Sequence, residues 1–140
     1  MLNVTKVDSW AATIDDKPGG ILAKLEGLAK AGADLDFILA RRAHETPGKG
    51  VLFVTPLTDT RQFNAAETLG FHRSTSLHTL RIDGPDEPGI AYRVTLALAG
   101  EGINIRGLSA MTIGNQYRMF LAFDTQPEAD RAIARLQRAI

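Results

Sequence analysis

The chain contains no cysteine, so histidine, serine and the carboxylates are left to carry any nucleophilic or metal chemistry. Its three histidines are His44, His72 and His78. The last two stand six residues apart around a strand-like segment, on one face but too distant for a compact ligand pair, and read as surface or interface side chains. Neither Ser9 nor Ser109 has the glycine neighbours of a nucleophile elbow, and no glycine-rich loop ends in Lys followed by Ser or Thr. The expectation is therefore no catalytic residue, no metal and no cofactor. What does recur is a short polar signature ahead of an apolar run: Asp16-Lys17-Pro18-Gly19, and again Asp86-Glu87-Pro88-Gly89. Proline suits a first helical turn, and an aspartate just before it can accept the free amide hydrogens of that turn.

The elements that position this signature repeat with it. Against a copy of itself shifted by 70 residues (Pro18 onto Pro88), the sequence aligns without gaps, and eleven positions are identical. They include Gly19 with Gly89, Gly32 with Gly102, Phe53 with Phe123 and Arg61 with Arg131. Glycines and prolines kept in register fix special backbone geometry, so their recurrence implies two copies of one unit. Alternating apolar and polar residues over 7–14 and 77–83 predict a half-buried strand in each copy. Helical spacing follows, in Ile21, Leu25, Leu28 and Ala29 and in Ala91, Val94, Leu98 and Ala99. Gly32 and Gly102 stand where a helix ends on a left-handed residue. Second strands are predicted over 34–43 and 104–113, third strands over 51–54 and 119–123, and closing helices over 59–69 and 126–138.

Each copy thus reads β-α-β-β-α, one strand short of a βαββαβ ferredoxin-like α+β sandwich with an antiparallel sheet. The expected domains are 1–72 and 73–140. The second copy reaches Ile140 on its last helix, while the first has spare residues upstream. Each copy is therefore expected to close with the segment that opens the other: 71–76 in the first sheet, 2–6 in the second.

A strand, Asp-x-Pro-Gly, a helix, then Ala33-Asp34-Leu35 or Ile103-Asn104-Ile105 opening the next strand: this pattern resembles the ACT domain family, over nearly the whole chain and twice. The resemblance implies a non-catalytic regulatory module that binds a small ligand, usually an amino acid, where the strand-to-helix loop of one domain meets the second-strand start of its neighbour. Carried onto this sequence, it implies sites at Asp86, Glu87, Pro88, Gly89, Asn104 and Ile105, and at Asp16, Lys17, Pro18, Gly19, Asp34 and Leu35. Amides at the helix start would face a ligand carboxylate, and the polar residue after the helix would hold its ammonium or carboxyl group. Asp34 in place of Asn104 is expected to make the first site the weaker one for carboxylates.

Charge and composition restrict the partners. Lys plus Arg and Asp plus Glu are 16 each, so no net field steers the chain to nucleic acid or to anionic membranes. Phe53, Phe120 and Phe123 lie on predicted strands, but Arg41-Arg42 is the only tight basic pair, which argues against an RNA-binding sheet. No apolar run approaches the length that spans a bilayer, and the first residues lack the apolar core of a signal peptide. A cytoplasmic homodimer that regulates a metabolic enzyme is the expected setting. The alternative is a ligand-free interaction or dimerisation scaffold that acts as the regulatory subunit of a metabolic enzyme.

Overall fold

The computed structural model describes residues 2–74 and 77–140. Its elements in chain order are β1 (Asn3–Val7), β2 (Trp10–Asp15), α1 (Gly20–Lys30), β3 (Phe37–Arg42), β4 (Lys49–Thr55), α2 (Thr60–Thr68), β5 (His72–Arg73), β6 (His78–Pro85), α3 (Ile90–Gly100), β7 (Gly107–Ile113), β8 (Gln116–Phe123) and α4 (Gln126–Leu136). They form two four-stranded antiparallel sheets in two compact units. The fold is α+β, with two ferredoxin-like units, as the repeat predicts.

The unit Asp8–Ser74 has strand order β3-β4-β2-β5. Alternation along β2 sends Trp10, Ala12 and Ile14 to the face that α1 and α2 cover, where they meet Leu52 and Val54 of β4, Leu28 of α1 and Ala66 of α2. The closing strand β5 is only two residues long and pairs His72 with Ala11 and Arg73 with Trp10. Thr75 and Ser76, which the sequence reading includes in this closing segment, lie outside the described residues.

The other unit has strand order β1-β6-β8-β7. Its core joins Leu80 and Ile82 of β6, Met119, Leu121 and Phe123 of β8, Val94 and Leu98 of α3, and Ala132 and Leu136 of α4. Here the edge strand is β1, whose register against β6 runs from Asn3 opposite Asp83 to Val7 opposite Thr79. Val4 packs from β1 onto the core. The division at 72/73 read from the repeat puts residues up to Val7 in the first domain; the structure groups them with the C-terminal half, because their strand pairing is with β6.

Three local expectations differ from the structure. The helices begin at Gly20 and Ile90, after the glycine, and no side chain caps either one. Gly19 (φ 85°) and Gly89 (φ 81°) are the N-cap residues, in left-handed geometry that turns the chain into the helix, and the prolines precede them. The second strands begin at Phe37 and Gly107, three residues later than predicted, so Asp34 and Asn104 belong to loops. His72 and His78 sit on different strands of different sheets, β5 and β6, and share no strand face.

Candidate ligand-binding loops

The loop between β2 and α1 carries Asp16, Lys17, Pro18 and Gly19. The turn is closed by the Gly20 amide, which donates to the Lys17 carbonyl at 3.0 Å, and is tied to the β3–β4 connection by the Asp16 amide, which donates to Gly48 at 3.0 Å. Around it lies a shallow pocket of about 270 Å³ lined by Ile14, Asp15, Asp16, Lys17, Ile21, Ala40, Arg41, Arg42 and Gly50. Charges alternate across it. Arg42 donates to the Asp16 carboxylate at 2.6 Å, Lys49 to Asp15 at 2.6 Å, and Lys17 stands 3.9 Å from Asp15. The hydrogen bond from Lys49, then its charge and those of Lys17 and Lys24, hold the Asp15 carboxyl below its ordinary pKa of 3.8. Instead of capping the helix, Asp16 is drawn to Arg42.

The equivalent loop between β6 and α3 carries Asp86, Glu87, Pro88 and Gly89. The Ile90 amide closes it onto the Glu87 carbonyl at 3.3 Å, and the Asp86 amide donates to Asn115 in the β7–β8 turn at 2.8 Å. Arg93, one turn into α3, donates to the Glu87 carboxylate at 2.7 Å. Behind the loop lies the Tyr117 side chain, 7% exposed, whose hydroxyl has no hydrogen-bond partner among the described residues. Burial raises the Tyr117 phenol above its ordinary pKa of 10.0, and the charge of Asp86 raises it further.

The remaining predicted residues stand at the other end of each helix. Gly32 (φ 82°) and Gly102 (φ 70°) end α1 and α3 in the same way: the glycine amide returns to Ala29 or Ala99, and the next amide to Leu28 or Leu98. That pair of bonds is the Schellman motif. Asp34 and Asn104 come two residues later, and Leu35 and Ile105 pack from these loops onto the cores. Eleven helical residues separate the two ends of α1, and likewise of α3. At 1.5 Å per residue that is about 16 Å. Within one unit the structure therefore groups Asp16 to Gly19, and Asp86 to Gly89, but brings neither set to its own Asp34 or Asn104.

Arg41, Arg42 and Ile21 line the first loop's pocket and are absent from the sequence-predicted site. The basic pair stood out in the sequence, yet nothing in a linear pattern says that β3 ends beside the β2–α1 loop. Seventy residues on, the matching positions are Met111 and Thr112, and Glu87 replaces Lys17. The first loop is therefore the more cationic of the two. Among the described residues no helix is long and apolar enough to cross a membrane, and no group of three His, Asp or Glu side chains is placed to hold a metal ion.

The ACT domain family model matches residues 78–140. No curated protein matches the chain. Among solved structures, a protein from Bacteroides thetaiotaomicron is similar with a TM-score of 0.79 and 17% identity, over 96% of this chain and 88% of that one. The regulatory subunit of aspartate kinase from Thermus thermophilus is similar with a TM-score of 0.69 and 16% identity, over 99% and 96%. The corresponding subunit from Thermus flavus is similar with a TM-score of 0.59 and 16% identity, over 98% and 97%. At these identities the likeness is one of fold.

Proposed function

We propose that the chain is a tandem pair of ACT domains that senses a free amino acid and passes the signal to a metabolic enzyme, without catalysing a reaction itself. The carrying observation is the repeated loop in which Asp-x-Pro-Gly turns into a helix through a left-handed glycine, in both units. The family match over 78–140 and the fold shared with aspartate kinase regulatory subunits support a ligand-binding regulatory role. A carboxylate at Asp86, Glu87, Pro88 and Gly89 would meet amide hydrogens at the start of α3. Asn104 or Ile105 of a neighbouring domain would complete the site, and Asp16, Lys17, Pro18 and Gly19 with Asp34 and Leu35 form the second set. The chain is taken to act in the cytoplasm as a homodimer: an absence of cysteine suits a reducing compartment. The outer strand β7 offers an unpaired edge with Met111 and Ile113 exposed.

A ligand that binds only the folded state raises its stability. Thermal unfolding in the presence of each of the twenty amino acids is the first test, with calorimetric titration of any that shifts the midpoint. Asn104→Ala is expected to weaken binding by about 1–3 kcal/mol, the usual cost of an unsatisfied polar partner, and to leave the fold intact. One observation favours a second reading, that of a dimerisation scaffold: Asp16 and Glu87 are already paired, with Arg42 and Arg93. If no amino acid binds below millimolar, the scaffold reading replaces the sensor. Sedimentation that shows only a 15.1 kDa species at micromolar concentration would exclude the homodimer.

A further inference from the structure

A separate pocket of about 330 Å³ opens in the C-terminal unit between the first turn of α3, the end of α4 and the start of β1. Its walls are apolar: Leu2, Ile90, Leu136 and Ile140. Three charged side chains also line it: Glu87 and Arg93, 2.7 Å apart with side chains 57% and 37% accessible, and Arg138, which pairs with Glu101 at 3.2 Å; Gln137 adds a neutral polar group. Sites for small molecules are commonly apolar concavities of roughly 300–1,000 Å³ that place a few polar groups to fix orientation. With Arg138 held by Glu101, an aliphatic wall beside the Glu87–Arg93 pair matches a particular ligand chemistry: a zwitterion with a branched hydrocarbon side chain.

We infer that this pocket binds an aliphatic α-amino acid, of the size of leucine, isoleucine or valine, within a single domain. The ligand carboxylate pairs with Arg93, its ammonium with Glu87, and its side chain lies among Leu2, Ile90, Leu136 and Ile140. The two protein charges exchange their mutual pair for a four-membered alternation with the ligand, so neither is left without a partner. The inference rests on the amino-acid-sensing reading above and shares Glu87 with its loop, but seats the ligand elsewhere: Asn104 lies at the far end of α3 and takes no part.

The probe is L-leucine, titrated calorimetrically into the full chain, into Arg93→Ala, into Ile140→Glu and into Asn104→Ala. Leucinamide, which lacks the carboxylate, and 4-methylpentanoate, which lacks the ammonium, are titrated beside it. Arg93 and Ile140 lie at the pocket's margin, so both variants are expected to fold, with a circular dichroism spectrum matching that of the parent chain. Binding of leucine that weakens about tenfold or more in Arg93→Ala and Ile140→Glu, and that is unchanged in Asn104→Ala, supports the pocket. Weaker binding of both analogues supports the zwitterion pairing. Loss of leucine binding in Asn104→Ala alone overturns the pocket while leaving the interface site standing. No binding of any aliphatic amino acid also overturns it, and the sensor reading is then decided by the remaining amino acids.

Discussion

Gly19 and Gly89 illustrate how one residue fixes a functional loop. A β-carbon built on either would meet nothing within 4 Å, so space is not the constraint. The backbone is: φ near +80° disfavours every L side chain, by about 1–2 kcal/mol. Gly89→Ala is expected to lower stability by about that amount and Gly89→Val by more, in urea unfolding. Wild-type stability in either variant would show that the left-handed turn is not held in solution. Two titrations belong to this scale as well. Asp15 has its folded pKa lowered by Lys49, so the pair contributes stability above the ordinary carboxylate value and loses it as pH falls through the folded one. Lys49→Ala should bring the Asp15 carboxyl back up, followed by NMR. Tyr117 has the opposite sense. Its folded pKa is raised, so its burial stabilises the unit fully below the ordinary phenol value and ceases to do so as pH rises through the folded one. Ultraviolet titration should show one tyrosine ionising late, and Tyr117→Phe should lack that phase and its alkaline loss of stability. Equal alkaline sensitivity of parent and variant would refute the assignment.

At the scale of elements, Arg61 and Arg131 explain an identity that the repeat left unaccounted for. Each donates from the second helix of its unit to a carbonyl at the end of the first: Arg61 to Lys30, and Arg131 to Glu101. Orphan carbonyls at a helix end are thus met by a cation that also opposes the negative end of the helix. Because both arginines are exposed, the expected cost of Arg61→Ala or Arg131→Ala is about 0.5–1 kcal/mol each, read as a shift in the denaturation midpoint. The helix ends were legible in the sequence because a glycine there has one physical reason. The starts were not, because Pro and Asp are equally compatible with capping and with a turn that precedes the helix. The second strands were read too long for a different reason. Leu35 and Ile105 are apolar and core-facing, as strand residues would be, but they reach the core from loops. Linear periodicity does not separate the two cases.

For the molecule as a whole, the sequence supplied the repeat and the order of elements within each copy, and it missed the pocket chemistry that depends on distant elements meeting. Arg41 and Arg42 reach the first loop from β3, and Leu2 joins Leu136 and Ile140 from just before β1. Neither approach leaves a local signal. The register of β1 against β6 makes a further expectation definite. Removal of residues 2–7 would bare the backbone edge of β6 and strip Leu2 and Val4 from the core of that unit. Hydrogen exchange at β6 should then accelerate, with the amides of β2 and β4 protected as before. Unchanged protection of β6 would mean that β1 contributes nothing to that sheet.

The same pairing has a consequence for synthesis. A ribosome makes β1 well before the strand's partner β6, which begins only at His78. At roughly 5–20 residues per second, some seconds pass before β6 exists. By the time β6 emerges, every strand and helix of Asp8–Ser74 has been made. A nascent strand that waits is exposed to the wrong neighbours, and its composition suits the wait: Asn3, Thr5 and Lys6 interrupt Val4 and Val7, so the segment is too polar and too short to template aggregation. The C-terminal unit is therefore sealed by a strand made well before the rest of that unit, and its folding waits for β6 to emerge.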